Sequence, residues 1–126
     1  MRVLLDSHVA LWWLEGSASL GSQCRQLIEH ADEAYFSVVT PWELGIKRAL
    51  GKLKMPDDLV AALQSGGFVP LAISADHAEL APALPAHHRD PFDRMLIAQA
   101  QLEALVLLSA DRALGSYDIE LIDARR

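Results

Sequence analysis

The side chains best suited to do chemistry are four carboxylates at widely separated positions. Each lies beside the end of a short apolar segment or the start of a helical one: Asp6, Glu43, Asp93 and Asp111. Gathered in one place they would repel one another, and a divalent cation would relieve that repulsion. Ligands that are all oxygen atoms select Mg²⁺ or Mn²⁺ over zinc. The set therefore indicates metal-assisted attack of water on a phosphodiester.

Each acid also has a plain structural interpretation at the start of a helix. Asp6 and Asp111 could each cap the helical turn that follows them. Thr40 as the N-cap with Glu43 three residues later makes a capping-box pattern. Asp90, an additional acid, is predicted to cap the helix that starts at the next residue. Taken singly these patterns favour structural roles, and only the shared position of the four acids favours a site.

Short apolar segments alternate with amphipathic ones along the whole chain. Strands are predicted at 3–5, 34–39, 68–73, 106–109 and 119–122, helices at 8–15, 22–30, 41–51, 56–65, 74–84 and 91–103, and a loop at 85–89. Uninterrupted apolar strands alternating with helices predict the α/β class, with a mainly parallel sheet covered on both faces. In such sheets, ligands bind outside the carboxyl ends of the strands. We therefore expect the four acids to meet at that edge.

Length and composition fit one globular domain, which we expect to span residues 1–126. The chain has 126 residues, of which 52% are hydrophobic. Cys24 is the only cysteine, so no internal disulfide can form, which suits a reducing compartment. Asp6 interrupts the first apolar run, and no run of about 18 apolar residues follows it. Neither a signal peptide nor a membrane span is predicted, and the expected location is cytoplasmic.

The charge balance taken alone argues against a nucleic-acid partner. The formal net charge is -6, from 17 acidic residues and 11 lysines and arginines. A metal-binding acidic cluster would account for part of that excess. Segment 47–54 holds four of the basic residues, as a solvated helix end or as an RNA-contacting rim. Arg94 and Arg112 each follow a candidate metal ligand, where they could contact phosphate or pair with acids.

Four ordered segments resemble proteins of the PIN-domain family: 4–14, 37–44, 89–100 and 108–111. More narrowly, the chain resembles the VapC-like toxins of toxin–antitoxin pairs, over nearly its whole length. The resemblance implies a three-layer α/β/α sandwich with about five strands. It also implies Mg²⁺- or Mn²⁺-dependent endoribonuclease activity on RNA, a cognate antitoxin as inhibitor, and a homodimer.

The resemblance also assigns residues to the site. By motif, it makes four residues both catalytic and metal-binding: Asp6, Glu43, Asp93 and Asp111. Ser7 and Ser109 fall where the family often carries a hydroxyl beside an acid, and they are candidate substrate contacts together with Arg94 and Arg112. His8 receives no role. The pair at 87–88 is interpreted as a loop feature and not as a zinc site, because no cysteine accompanies it.

Two functions of other classes compete with the nuclease. A phospho-acceptor receiver domain has a similar size and α/β pattern, but it needs an acid at the end of its third strand and a lysine after its fifth. Here that strand ends in Ile73-Ser74, and no lysine follows Lys54. A catalytically inactive domain that only binds a partner, with the acids serving as caps, stays open at this point.

Overall fold

One sheet of five parallel strands forms the centre of the protein. The computed structural model describes residues 1–126. The strands are β1 (Arg2–Leu5), β2 (Glu33–Ser37), β3 (Val69–Leu71), β4 (Val106–Ser109) and β5 (Leu121–Asp123). They lie in the order β3-β2-β1-β4-β5, and every neighbouring pair is parallel. The predicted α/β class and the mainly parallel five-stranded sheet are confirmed.

Helices cover both faces of this sheet. They are α1 (Ser7–Glu15), α2 (Ser22–Glu29), α3 (Val39–Ala49), α4 (Leu59–Ser65), α5 (Ala75–Ala83) and α6 (Pro91–Glu103), with a 3-10 helix at Arg112–Ser116. Val3 and Leu5 of β1 pack into a cluster of 16 buried residues that includes parts of α1, α2 and α4. Leu4 points to the opposite face and packs with α5 and α6 in a cluster of 12. The three-layer arrangement is therefore as predicted. No helix is both long enough and apolar enough to cross a membrane.

The order of the strands reverses beside β1. From β1 the chain continues to β2 and β3 on one side, and it then returns to β4 on the other side. Leu5 is in register with Leu108, and the backbone N–H of Asp6 donates to the Leu108 carbonyl at 3.0 Å. A crevice opens at the carboxyl ends of strands whose connections leave in opposite directions. Asp6 and the turn after Ser109 lie at this crevice.

The capping box predicted for Thr40 and Glu43 is wrong. The second strand ends at Ser37 rather than 39, and α3 begins at Val39, so Thr40 lies inside the first turn. The hydroxyl of Ser37 accepts from the N–H of Val39 at 3.1 Å, which turns the chain into the helix earlier than predicted. Pro41 is tolerated there because the first N–H groups of a helix have no partner within it. Glu43 is thereby left free of capping and lies in the second turn.

Three elements are shorter or shifted relative to their predicted bounds. Strand β3 covers Val69–Leu71 instead of 68–73, because Pro70 lacks an N–H and this strand lies at the edge of the sheet. Helix α4 begins at Leu59, three residues after the predicted Pro56. Strand β5 extends to Asp123, which pairs in register with Ser109. Helix α6 and strand β4 have the predicted bounds.

Cys24 is a core residue, as predicted. It is 1% exposed and belongs to the larger buried cluster. Burial raises the pKa of its thiol to about 11. The thiol is therefore protonated near neutral pH and is a packing group rather than a nucleophile.

Candidate active site

Asp6 follows β1 directly and caps α1. Its Oδ1 accepts a hydrogen bond from the backbone N–H of His8 at 3.0 Å, and its Oδ2 accepts one from Ser109 Oγ at 2.6 Å. Burial raises the pKa of this carboxyl, and the two hydrogen bonds oppose the rise. Asp6 is therefore both the predicted helix cap and a buried carboxylate at the switch point, held between the ends of β1 and β4.

Glu43 reaches the same edge of the sheet from α3. Its Oε1 accepts from Ser7 Oγ at 2.7 Å, and its Oε2 accepts from Lys47 Nζ at 2.8 Å. The contact with Glu43 raises the pKa of Lys47, so its ammonium group stays charged. Ser7 Oγ also lies 3.1 Å from Thr40 Oγ1. Side chains of α1 and α3 thus fix the orientation of a carboxylate that is only 5% exposed.

Ser7 and Ser109 hydrogen-bond to two of the acids. Both residues are 1% exposed, and each hydroxyl donates to a carboxylate. Ser109 Oγ also accepts from the N–H of Asp111, which connects Asp6 with Asp111. The two serines predicted as substrate contacts are therefore buried groups that orient the acids, and they present no free hydroxyl at the surface.

Asp93 and Asp111 meet beside a histidine. Asp93 lies in the first turn of α6, where Asp90 caps the helix by accepting from the N–H groups of Phe92 and Asp93. Asp111 follows β4 and caps the 3-10 helix. His88 Nε2 lies 3.1 Å from Asp111 Oδ2 and 3.5 Å from Asp93 Oδ2. Ligand atoms of all three residues lie within 4.8 Å of one another.

The pKa of Asp93 reflects its burial among the other acids. Its pKa rises to about 7, first because the group is buried and then because of the charges of Asp6, Asp90 and Glu43. His88 opposes the rise. Asp6 and Glu43 do not belong to the group within 4.8 Å, but their charges act on Asp93 and on each other. The structure thus brings all four predicted acids to one edge of the sheet, with Asp93 at the centre of their repulsion.

This donor set fits a divalent cation. A carboxyl whose pKa is raised to near neutrality by burial and by neighbouring anions is stabilised in its charged form by a bound cation. The donors offered by the four acids are all oxygen atoms, which suits hard cations. Asp93 and Asp111 could hold an ion directly, and Asp6 and Glu43 contribute the remaining negative charge.

A cavity of about 420 Å³ opens beside Asp6 and Asp111. His8, Trp12 and Arg125 line its other side. The Arg125 guanidinium lies 5.8 Å from the centre of the Trp12 ring. Two of the acids can therefore be reached from solvent past a cation and an aromatic ring, and His8, which received no role from the sequence, lies on that path.

The model of the PIN domain matches residues 3–120 of this chain. The chain belongs to the PIN-domain family. Ribonuclease VapC22 of Mycobacterium tuberculosis is 33% identical over 122 residues, which cover 91% of each chain. Among solved structures, VapBC2 of Rickettsia felis bound to a promoter DNA fragment has a TM-score of 0.71 at 14% identity. A toxin–antitoxin complex of Klebsiella pneumoniae has a TM-score of 0.68 at 18% identity. Each of these two comparisons covers 98% of both chains, and at such identities they show the fold alone.

Arg94 orders a loop of the PIN domain and does not face the acids. Its guanidinium donates to five backbone carbonyls, those of Ala81, Pro82, Leu84, Pro85 and His88. These bonds occupy the hydrogen-bonding capacity of the side chain. The sequence left open a phosphate contact or pairing with an acid, and the structure shows neither. Arg94 instead holds the segment that ends at His88, a site residue that sequence reasoning had interpreted as part of a plain loop.

The basic residues around this PIN domain divide into paired and free ones. In segment 47–54, Lys47 pairs with Glu43, and Arg48 Nη1 lies 3.0 Å from Asp57 Oδ1. Arg112 Nη2 lies 3.5 Å from Asp123, yet its side chain is 84% exposed. Lys52 and Lys54 have no acidic partner, so segment 47–54 fits either a solvated helix end or an RNA-contacting rim. Arg112 stays accessible one residue after Asp111.

Proposed function

We propose that this PIN domain, residues 1–126, is a divalent-metal-dependent endoribonuclease and the toxin of a toxin–antitoxin pair. The observation that carries the proposal is the gathering of the four acids at one edge of the sheet, with Asp93 and Asp111 within ligand distance of each other. Burial and the charges of Asp6, Asp90 and Glu43 raise the pKa of Asp93 to about 7. A buried anionic cluster at a switch point is unfavourable for a purely structural role and suited to a metal. The name of the relative, a ribonuclease, supports the choice of substrate.

We assign the metal to the four acids: Asp6, Glu43, Asp93 and Asp111. Mg²⁺ or Mn²⁺ would supply an activated water and neutralise charge that develops on the phosphate. The donors around the acids support this assignment, since Ser109 orients Asp6 and Ser7 orients Glu43. With these oxygens fixed in advance, little rearrangement accompanies binding. We assign to Glu43 or Asp93 the role of orienting the attacking water.

Arg112 and Arg125 are the cations that we assign to RNA phosphates. Arg112 is 84% exposed and follows Asp111, and Arg125 lines the cavity beside Asp6. Trp12 in the same cavity offers a ring on which an unpaired base can stack. This placement supports a single-stranded segment of RNA that crosses the acids from that side.

The function is tested by cleavage of labelled total RNA with Mg²⁺, with Mn²⁺ and with chelator. We expect cutting in both metals, none in chelator, and a loss of about 100-fold or more in Asp93→Asn, since a metal supplies several kcal/mol to the barrier. Asp118→Asn, which removes an exposed acid outside the cluster, is the matched control. Cutting that survives chelation would contradict metal dependence. A metal-binding protein that cuts no RNA would favour the partner-binding alternative.

Two protein contacts belong to the same proposal, a cognate antitoxin and a second copy of the chain. Toxin–antitoxin complexes among the structural neighbours support the first. Four exposed apolar residues follow one another at four-residue spacing along α3: Val38, Trp42, Ile46 and Leu50. Such a stripe supports burial against another protein. We expect sedimentation of the purified chain to give twice the mass of one chain, and a monomer at all concentrations would contradict the homodimer.

A further inference from the structure

We infer that His88 is a positioning residue that donates a hydrogen bond to Asp111 beside Asp93 and does not itself bind the metal. The inference rests on the proposed function in one respect, that Asp93 and Asp111 hold a divalent ion. It goes beyond that function because it adds a histidine to a set of four acids. The His88 ring lies within ligand distance of both carboxylates, so it could be either a metal ligand or a hydrogen-bond donor to the metal ligands.

The two nitrogens of the His88 ring have different partners. The backbone N–H of Asp90 donates to Nδ1 at 3.2 Å, so Nδ1 presents its lone pair. A neutral ring then carries its proton on Nε2, which donates to Asp111 Oδ2 at 3.1 Å and faces Asp93 Oδ2 at 3.5 Å. Binding of a metal by Nε2 would move the proton to Nδ1. A proton on Nδ1 would face the N–H of Asp90, which is unfavourable. The surroundings therefore favour the tautomer with the proton on Nε2.

The backbone of His88 is held as firmly as its ring. Its N–H donates to Tyr117 Oη at 2.8 Å, and its carbonyl accepts from Arg94 Nη1 at 3.0 Å. Tyr117 Oη in turn donates to the Pro85 carbonyl at 2.7 Å, and the tyrosine is 6% exposed. Asp90, which fixes Nδ1, is itself fixed as the cap of α6. All four polar atoms of His88 are therefore hydrogen-bonded, and the surrounding structure fixes the position of this residue.

His88 Nε2 lies within 3.5 Å of both Asp93 and Asp111, and no other side-chain nitrogen lies that close to Asp93. Asp93 belongs to α6 and Asp111 follows β4. Two carboxylates from separate elements repel each other unless a donor or a cation lies between them. The Nε2–H therefore holds the Asp111 carboxylate in place beside Asp93. Partners of metal ligands typically account for 10- to 100-fold in metal affinity.

Two substitutions of His88 distinguish the contribution of Nε2 from that of Nδ1. His88→Gln ends in an amide N–H near the position of Nε2 and retains a donor to the acids. His88→Asn ends near the position of Nδ1, so it keeps the contact with Asp90 and loses the donor. His30→Asn is the matched control, because His30 is exposed at the C-terminal end of α2. Titration with Mn²⁺, followed by the electron spin resonance signal of the free ion, measures affinity without RNA.

We expect His88→Asn to weaken Mn²⁺ binding by about 10-fold or more, and His88→Gln to recover most of that loss. The control should bind as the unsubstituted protein does. Equal affinity in all three variants would overturn the inference. Spin-echo spectra of the Mn²⁺ complex that show a directly coordinated imidazole nitrogen would also overturn it, since His88 would then be a ligand.

A measurement on the metal-free protein keeps this inference separate from the proposed function. Nitrogen-15 NMR of the histidine rings reports which nitrogen carries the proton. We expect a proton on Nε2 of His88 and a bare Nδ1, whereas a proton on Nδ1 alone would contradict the inference with no metal involved. Failure of the unsubstituted protein to bind Mn²⁺ would instead contradict the proposed function.

Discussion

In the absence of divalent metal at pH 8, the Asp93→Asn variant is expected to unfold at a higher temperature than the unsubstituted protein. The Asp93 carboxyl has a pKa of about 7 in the folded chain, against an ordinary value of 3.8, and its side chain is 19% exposed. Ionisation of this group at pH 8 therefore opposes folding, by roughly 4 kcal/mol. An amide carries no charge and removes that cost, so the melting temperature should rise by about 5 °C or more.

The gain in stability of the Asp93→Asn variant should increase as the pH rises. A carboxyl whose pKa is raised on folding destabilises the folded state increasingly as the pH rises from about 4 to 7. Below that window the acid is protonated in both states and the two proteins should differ little. Melting curves between pH 4 and pH 8 in chelator measure the effect, with Asp118→Asn as control. A gap between variant and parent that is constant over this range would contradict it.

Addition of Mg²⁺ should narrow the difference in melting temperature between the two proteins. A ligand that binds only the folded state at 100 times its Kd stabilises that state by about 2.7 kcal/mol. The unsubstituted protein gains this stabilisation because the cation replaces the repulsion at Asp93 with attraction. The variant has lost one oxygen anion and should shift little. A shift of equal size in both proteins would remove Asp93 from the set of metal ligands.

The second large effect is expected for Glu43→Gln, which should abolish RNA cleavage and leave the fold intact. Glu43 is not part of a capping box, so the stability of the variant depends on its two hydrogen bonds. A glutamine oxygen can accept from Lys47 while its amide donates to Ser7, whose hydroxyl can reverse its role. The melting temperature in chelator should therefore change by no more than about 2 °C, the size of a sub-kcal effect.

Cleavage should nevertheless fall by about 100-fold or more in Glu43→Gln, because a neutral amide neither balances the charge of a metal nor accepts a proton. Glu79→Gln is the matched control, since Glu79 is exposed on α5. Initial rates with labelled RNA in Mg²⁺ measure the effect, and melting curves of the same samples show that the variant is folded. Activity retained in a folded Glu43→Gln protein would exclude this residue from catalysis.

The edge of the sheet where the acids meet could be predicted because it depends on local patterns. Asp90 followed by Pro91 marks the start of α6 without ambiguity, and the apolar run of β4 is ended by Ser109. Alternation of such runs with helices predicts parallel strands, whose carboxyl ends share one edge. The four acids could thus be assigned to one place without any knowledge of distances.

The start of α3 could not be predicted, because two hydroxyls compete for the same role. Ser37 and Thr40 are both suitable caps, and the sequence around Pro41 favours the second. The outcome is decided by a contact with Ser7, 33 residues earlier in the chain, which takes the Thr40 hydroxyl into the interior. Contacts of this range are not visible in a local pattern.

His88 was missed for a related reason. A histidine pair in a loop has no periodicity that would reveal its environment. The groups that fix the position of His88 are the backbone N–H of Asp90, the hydroxyl of Tyr117 and the guanidinium of Arg94. The position of Arg94 after a candidate metal ligand likewise predicts contacts with acids or phosphates, although its partners are backbone carbonyls. The nearest sequence signal was the spacing of His88 two residues before the cap at Asp90.

The central place of β1 in the sheet has a consequence for the chain during its synthesis. Asp6 emerges from the ribosome early, but the Ser109 hydroxyl that orients it lies 103 residues further on. A nascent chain that stops before β4 lacks one of the two neighbours of β1 and also lacks Asp111, and contacts of such sequence separation form late in folding. In a chain of this topology, the four acids come together only after the last third of the sequence has left the ribosome.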